Sequence, residues 1–231
     1  MMMKKYWKDF LSLIYPDLCY NCEVALVEGE DKICLRCYRD FPLTNYHQVK
    51  PNPLMEMTAG NNKVKGAFCH MKFNKQGIAQ KLLHELKYKN NALIGLLLGE
   101  WFANYVKDEL SKAEIDAIIP VPLFKSKQRK RGYNQSEVIA RGIKKVTGMS
   151  IMDDVLIRTK NVSTQTKKGK VERWQNVDAL YEVVQQEKIE GKRVLLLDDV
   201  ITTGATIGTA AEVLAESGVG EIYLGCIASG K

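Results

Sequence analysis

The stretch Val194-Leu-Leu-Leu-Asp-Asp-Val-Ile-Thr-Thr-Gly-Ala-Thr206 decides how this chain folds. Val194 to Leu197 is a continuous apolar run, the pattern of a strand covered on both faces in a parallel sheet. Asp198 and Asp199 follow where such a strand emerges. Thr202, Thr203, Gly204, Ala205 and Thr206 then make a polar turn, after which Ile207, Ala210, Ala211 and Leu214 recur at helical spacing. A strand, a turn and a helix N-terminus in this order suit a phosphate, which meets free N–H groups, the helix dipole and threonine hydroxyls. The carboxylates would repel a phosphate. They suit ribose hydroxyls or a divalent cation. The plainer explanation, a strand-to-helix connection capped by one threonine, leaves the acids and the other threonines without a role. Neither GxxxxGK[ST] nor a GxGxxG after a strand is present.

The chain of 231 residues is long enough for one large domain, or one domain with a small appendage. Its net charge of +7 favours anionic partners, phosphorylated metabolites or nucleic acid. The longest apolar stretch, Ala92 to Val106, is interrupted by Glu100 and falls short of a membrane span. Asp9 breaks the N-terminal apolar run and no small-residue cleavage site follows, so a cytoplasmic location is expected.

Residues 1–45 read as an N-terminal helix (about 4–14) followed by a metal module. Cys19-Tyr-Asn-Cys22 and Cys34-Leu-Arg-Cys37 each place two thiolates on one ion, and together they close a tetrahedral four-cysteine zinc site. Paired disulfides fit poorly with a chain lacking a signal sequence. With no open coordination position, the zinc is structural. Cys69 and Cys226 lie in apolar stretches and read as buried small hydrophobes. Proline- and asparagine-rich residues 46–62 read as a linker, and 63–231 as the main domain.

Within that domain Lys63–Phe73 reads as a strand and Gly77–Lys87 as a helix with a solvent-facing His84. An amphipathic helix follows, with Ile94, Leu97, Leu98, Trp101 and Tyr105 on its apolar side. Asp116–Pro122 is a second buried strand running into a proline-fixed loop that holds Lys125, Lys127, Arg129, Lys130 and Arg131. A charge run of this kind is commonly a solvated face. Placed beyond a strand's carboxyl end, where ligands of open α/β sheets bind, it also suits pyrophosphate or another polyanion. Asn134–Val146 reads as a helix, and Val155–Arg158, Ala179–Val184 and Glu221–Ile227 as strands. The polar segment 158–171 reads either as a plain surface loop or as a lid that excludes water from a reactive carbon.

The acidic pair and its turn resemble the signature with which type I phosphoribosyltransferases bind PRPP (5-phosphoribosyl 1-diphosphate). That resemblance implies that Asp198 and Asp199 hold the ribose diol, that Thr202 to Thr206 cradle the 5′-phosphate, and that Mg²⁺ accompanies PRPP. Residues 119–122, Ile-Pro-Val-Pro, resemble a pyrophosphate loop of amidophosphoribosyltransferases. Arg158 and Gln165 match the RxxxxxxQ pattern of those enzymes' flexible hood. With Leu86-Lys-Tyr88, PVPL…RGYNQS and the double CxxC in the same order, nearly the whole chain resembles the ComF family of competence proteins. The resemblance implies an α/β fold, a phosphoribosyltransferase-like parallel sheet with helices on both faces behind a zinc module.

Three functional expectations follow. The first is PRPP-dependent phosphoribosyl transfer with release of pyrophosphate, the acceptor being undetermined. A glutamine-dependent amidophosphoribosyltransferase is not expected, because the chain begins Met-Met-Met and has no room for a glutaminase domain. The second is a single-stranded DNA-binding accessory protein of DNA uptake, alongside other uptake proteins. There the basic run and Lys160, Lys167, Lys168 and Lys170 track phosphates, Tyr133 and Trp174 stack bases, and the PRPP site is regulatory or vestigial. The third, a transcriptional regulator, lacks a helix-turn-helix pattern and ranks last.

Overall fold

The structure, a computed structural model, describes residues 15–58, 60–159 and 180–231. The helix expected near 4–14, Gln165, Trp174 and the lysines from Lys160 to Lys170 lie outside these residues. At the centre is a five-stranded, all-parallel sheet in the order β1-β7-β6-β2-β3. Its strands are β1 (Val64–Lys72), β2 (Ala117–Pro120), β3 (Ser150–Ile151), β6 (Arg193–Ile201) and β7 (Glu221–Ser229). A separate antiparallel hairpin pairs β4 (Leu156–Arg158) with β5 (Tyr181–Val183).

The apolar run of β6 behaves as its composition requires. Val194, Leu195, Leu196 and Leu197 are all fully buried, and with period-two alternation they serve two different cores. Leu195 and Leu197 pack with α2 (Ile78–Tyr88), α3 (Ala92–Tyr105) and α6 (Gln135–Thr147). Val194 and Leu196 pack with α7 (Ala205–Glu216) and the β4–β5 hairpin. Helices therefore cover both faces of the sheet, as expected. Each fully buried leucine is worth about 2 kcal/mol.

α3 departs from its expected amphipathic form. Its buried positions include Gly95 and Gly99 as well as Ile94, Leu98, Phe102 and Ala103, while Leu97, Trp101 and Tyr105 are only partly covered. The reason is contact with α6. A Cβ on Gly99 would lie 2.1 Å from the Ile139 carbonyl oxygen, and one on Gly142 2.1 Å from that of Leu96. Backbone touches backbone here, which fixes how closely α3 and α6 approach.

The basic run is a helix rather than a loop. Lys125–Arg131 forms α5, closed by Gly132 at φ +80°. Nor is 46–62 a free tether. Just before it, Leu43 bridges Met71 and the Thr44 N–H donates to the His70 carbonyl. Within it, Asn52 Nδ2 donates to the Ala67 carbonyl and Leu54 is fully buried. This stretch covers the outer edge of β1, whose unpaired groups would otherwise invite another strand. The cysteine module, with its short helix α1 (Leu35–Arg39), also joins the main body. Cys19, Ile33, Cys34, Cys37 and Phe41 share a core with α2 and α3.

Candidate functional site

The site lies at the carboxyl ends of β6 and β2, which run side by side with Pro120 opposite Leu197. Asp198 and Asp199 still belong to β6, so their side chains diverge to opposite faces of the sheet. Asp199 turns toward α2 and is buried, with Oδ2 2.9 Å from Lys87 Nζ. Asp198 is half-buried. Its Oδ1 accepts from the Asp199 N–H at 2.8 Å and from Ser136 Oγ at 3.3 Å. Burial, then the adjacent Asp199 charge, pushes the Asp198 carboxyl up to about 7; the Asp199 N–H, Lys87 and Ser136 oppose the rise. Two carboxylates meet here and one ammonium, Lys87, pairs with them among the described residues, which favours a hydroxyl donor or a cation.

Beyond the acids, Thr202 to Ile207 line a small hollow with Asp198. Thr202, Thr203, Ala205 and Thr206 are exposed around it, and the Ala205 N–H, the first of α7, donates to Thr203 Oγ1 at 3.4 Å. Gly204 caps α7 at φ +79°, and a Cβ there would lie 2.6 Å from Met57 Cβ. Both constraints select glycine.

α5 sits at the same edge. Its seven residues include five cations, none buried and none ion-paired to a carboxylate among the described residues. Arg131 ties α5 into the site. Its Cζ lies 5.7 Å from the centre of the Tyr88 ring, and its Nη1 donates to Gln135 Oε1 at 2.8 Å. Asn134 Nδ2 donates to the Val121 carbonyl and its Oδ1 accepts from the Ser136 N–H, so the RGYNQS run anchors the start of α6 against β2.

On the Asp199 side a cavity of about 410 Å³ opens between α2 and the end of β6, lined by Phe73, Leu83, His84, Tyr88, Asp199 and Thr202 among others. His84 is exposed, as expected. A larger cavity of about 630 Å³, bordered by Lys50, Asn52, Gly66 and Tyr223 among others, touches neither the acids nor the turn. Arg158 ends β4, with Cζ 5.5 Å from the centre of the Tyr181 ring. Among the described residues its buried Nε and the Tyr181 hydroxyl have no hydrogen-bond partner. Burial, and further the Asp198 charge, push Tyr181 up to about 12 against the pull of Arg158. Leu156 and Tyr181 share a core with Val194 and Leu196, which alternate onto the same face as Asp198, so the hairpin lies on the Asp198 side.

Two residues of this site carry no role in the sequence reading. Lys87 sits inside the quoted Leu-Lys-Tyr element and Ser136 inside RGYNQS, but only the fold brings either to the acids. The order of the elements around a strand-end acidic pair was the available signal.

The four cysteine Sγ atoms lie within 4.8 Å of one another. Cys22 and Cys34 Sγ are 3.7 Å apart, close to the ~3.8 Å edge of a tetrahedron with 2.3 Å zinc–sulfur bonds. Burial raises the Cys19 thiol, but the Cys22, Cys34 and Asn21 N–H groups outweigh it and bring it down to about 6. The tetrad fits a metal. It lies apart from the acids, joined to them through α2: Lys81 Nζ donates to the Asn21 carbonyl, and Asn91 Nδ2, just past α2, to Tyr20 Oη.

Residues 70–231 match the model of the phosphoribosyl transferase domain. The chain belongs to that family. It is 30% identical over 147 residues to Competence protein F of Haemophilus influenzae, a match covering 62% of this chain and 64% of that one. It is 26% identical over 211 residues to Competence protein ComFC of Bacillus subtilis, covering 90% and 82%. A glutamine PRPP amidotransferase from B. subtilis, solved with ADP and GMP, aligns at 25% identity and TM-score 0.41, covering 59% of this chain and 26% of that one. Among the described residues no helix is long and apolar enough to cross a membrane.

Proposed function

We propose that this member of the phosphoribosyl transferase family binds PRPP with Mg²⁺ and transfers its phosphoribosyl group to a nitrogen nucleophile. The observation that carries this reading is the divergence of the acidic pair. One strand end presents a phosphate-suited turn beside Asp198 and an open cavity beside Asp199, with a cationic helix at the same edge. The turn at Thr202–Thr206 would hold the 5′-phosphate, Asp198 and Asp199 the ribose hydroxyls, and Lys125, Lys127, Arg129, Lys130 and Arg131 the pyrophosphate. Mg²⁺, when bound, neutralises charge on the pyrophosphate and the acids. In the reaction the nitrogen lone pair forms a bond to C1′ while the C1′–oxygen bond breaks. The electron pair leaves with pyrophosphate, and the nitrogen releases its proton. Fixed placement of the three groups and matched charge are the protein's contribution. Arg158 and Gln165 are assigned to closure over the site, and Cys19, Cys22, Cys34 and Cys37 to a structural zinc.

The relatives' names connect those proteins with competence, which supports a role in DNA uptake. A second reading, single-stranded DNA binding with a regulatory PRPP site, is favoured by the five exposed cations of α5. Thermal unfolding with ligands tests the first. Saturating PRPP with Mg²⁺ is expected to raise Tm by several degrees, and ribose 5-phosphate, which lacks the pyrophosphate, by less. An unmoved Tm with both ligands would overturn it.

A further inference from the structure

The sheet ends at β1, and the chain pairs with only part of that edge. The Thr44 N–H donates to the His70 carbonyl at 3.0 Å and the Lys72 N–H to the Pro42 carbonyl at 2.7 Å. Main-chain groups alternate in direction along a strand, so the N–H and C=O of Gly66 and Phe68 point to the same side as those of His70 and Lys72. Among the described residues no group of the covering stretch bonds them. The chain leaves the edge after Thr44 and returns a single side chain, Asn52, whose Nδ2 donates to the Ala67 carbonyl at 2.8 Å. Where the cover stands off, the cavity of about 630 Å³ opens between it, Lys65 to Phe68 and α4 (Lys107–Ala113). Small-molecule sites have volumes of about 300–1,000 Å³.

Its remaining walls supply two further kinds of contact. Tyr223 brings a half-exposed ring, near-parallel to the buried Phe68 ring at 6.1 Å and 10°. The Tyr223 hydroxyl donates to Glu221 Oε2, and a Cβ on Gly66 would lie 2.9 Å from Tyr223 Cδ1, so glycine lets the ring lie against the strand. Val49, Pro51, Met55 and Ala113 make the rest of the lining largely apolar. The charged groups at the border are Lys50, Lys65 and Lys112 against Glu56 and Glu109. None of the five has an ion-pair partner among the described residues. Three cations against two carboxylates leave one positive charge, which matches a monoanion; a phosphomonoester would bring a second negative charge beside Glu56 and Glu109.

An aromatic floor, a strand edge that offers donors beside acceptors and a surplus of one cation ask for three features in one ligand. We infer that this cavity binds a flat heteroaromatic carboxylate whose ring carries an amide-type edge. The ring lies against Tyr223, its edge pairs with the main chain of Gly66 and Phe68, and its carboxylate meets Lys65 and Lys112. The site is separate from the acidic pair and stands or falls independently of the PRPP reading.

Pterin-6-carboxylate has all three features and is fluorescent, so titrating it with the full chain tests the inference. Saturable binding with a change in emission is expected. Pterin, which lacks the carboxylate, and 2-naphthoate, which lacks the amide edge, should each bind about tenfold more weakly. Lys65→Gln/Lys112→Gln, two exposed positions, should weaken pterin-6-carboxylate about tenfold and leave pterin unchanged. Tyr223→Leu, shown to be folded by thermal unfolding, should weaken all three probes. No binding of pterin-6-carboxylate at millimolar concentration would overturn the inference. So would a lysine variant that binds the acid as the parent does, or loss of binding in Asp198→Asn/Asp199→Asn, which would place the probe at the acids. Guanosine 5′-monophosphate displacing the probe at equal concentration would overturn the assignment to a monoanion.

Discussion

Replacing Asp198 by asparagine should stabilise the protein, and by an amount that depends on pH. The folded-state carboxyl is raised to about 7 from an ordinary value of 3.8, first by burial and then by Asp199. A raised carboxyl means that the folded protein holds a proton the unfolded chain has released. Stability from this group therefore falls as pH rises from about 4 to 7 and is level above that. Between pH 5 and pH 8 the gap spans about two units at 1.36 kcal/mol each, an upper limit near 3 kcal/mol; solvent access to a half-buried group reduces this to about 2 kcal/mol. Asparagine carries no charge, and its side-chain oxygen can accept the same bonds from the Asp199 N–H and Ser136 Oγ. Urea unfolding at the two pH values, parent against Asp198→Asn, is the assay. With m near 3 kcal/mol/M for a chain of this size, the variant's midpoint advantage should grow by about 0.7 M from pH 5 to pH 8. An advantage that is the same at both values, or a variant less stable than the parent at pH 8, would refute the reasoning.

Three other expectations rest on neighbouring contacts. Lys87→Met leaves Asp199 without its partner beside another acid and should cost about 3 kcal/mol, whereas the same change in an Asp199→Asn background should cost under about 1 kcal/mol, a difference read by a thermal-unfolding double-mutant cycle. Gly204→Ala forces an L side chain to φ +79° and against Met57, so it should lower stability by about 2–3 kcal/mol, and Met57→Ala should recover part of that loss in the same measurement. Cys37→Ser, or stripping metal with a chelator, should lower Tm of the whole chain in a single calorimetric transition, because the cysteine module shares its core with α2 and α3.

What the sequence made legible is what local pattern encodes. Val194–Leu197 announced a doubly covered strand because burial on both faces demands an unbroken apolar run. The acidic pair and glycine turn announced a site because few other roles need those residues together. α5 was misread as a loop for an equally physical reason. None of its residues is buried, so no apolar period marks the helix, and its lysines and arginines are helix formers that also populate loops. The stretch 46–62 reads as a linker because its hold on the β1 edge rests on isolated side chains, Asn52 and Leu54, which leave no periodicity. Lys87 and Ser136 could not be assigned because their partner lies on a strand more than sixty residues away, and only the close packing of Gly99 against α6 and of α2 against the sheet brings them there.

The central claim is that the strand-end acids and the turn beyond them bind PRPP. Titration calorimetry of the folded protein with PRPP, with and without Mg²⁺, tests it directly beside the Asp198→Asn/Asp199→Asn double variant. The account expects saturable binding that requires Mg²⁺ and disappears in the variant, whose unfolding shows it to be folded. A folded parent protein that takes up no PRPP with Mg²⁺ present, or a double variant that binds it as tightly as the parent, would contradict the account.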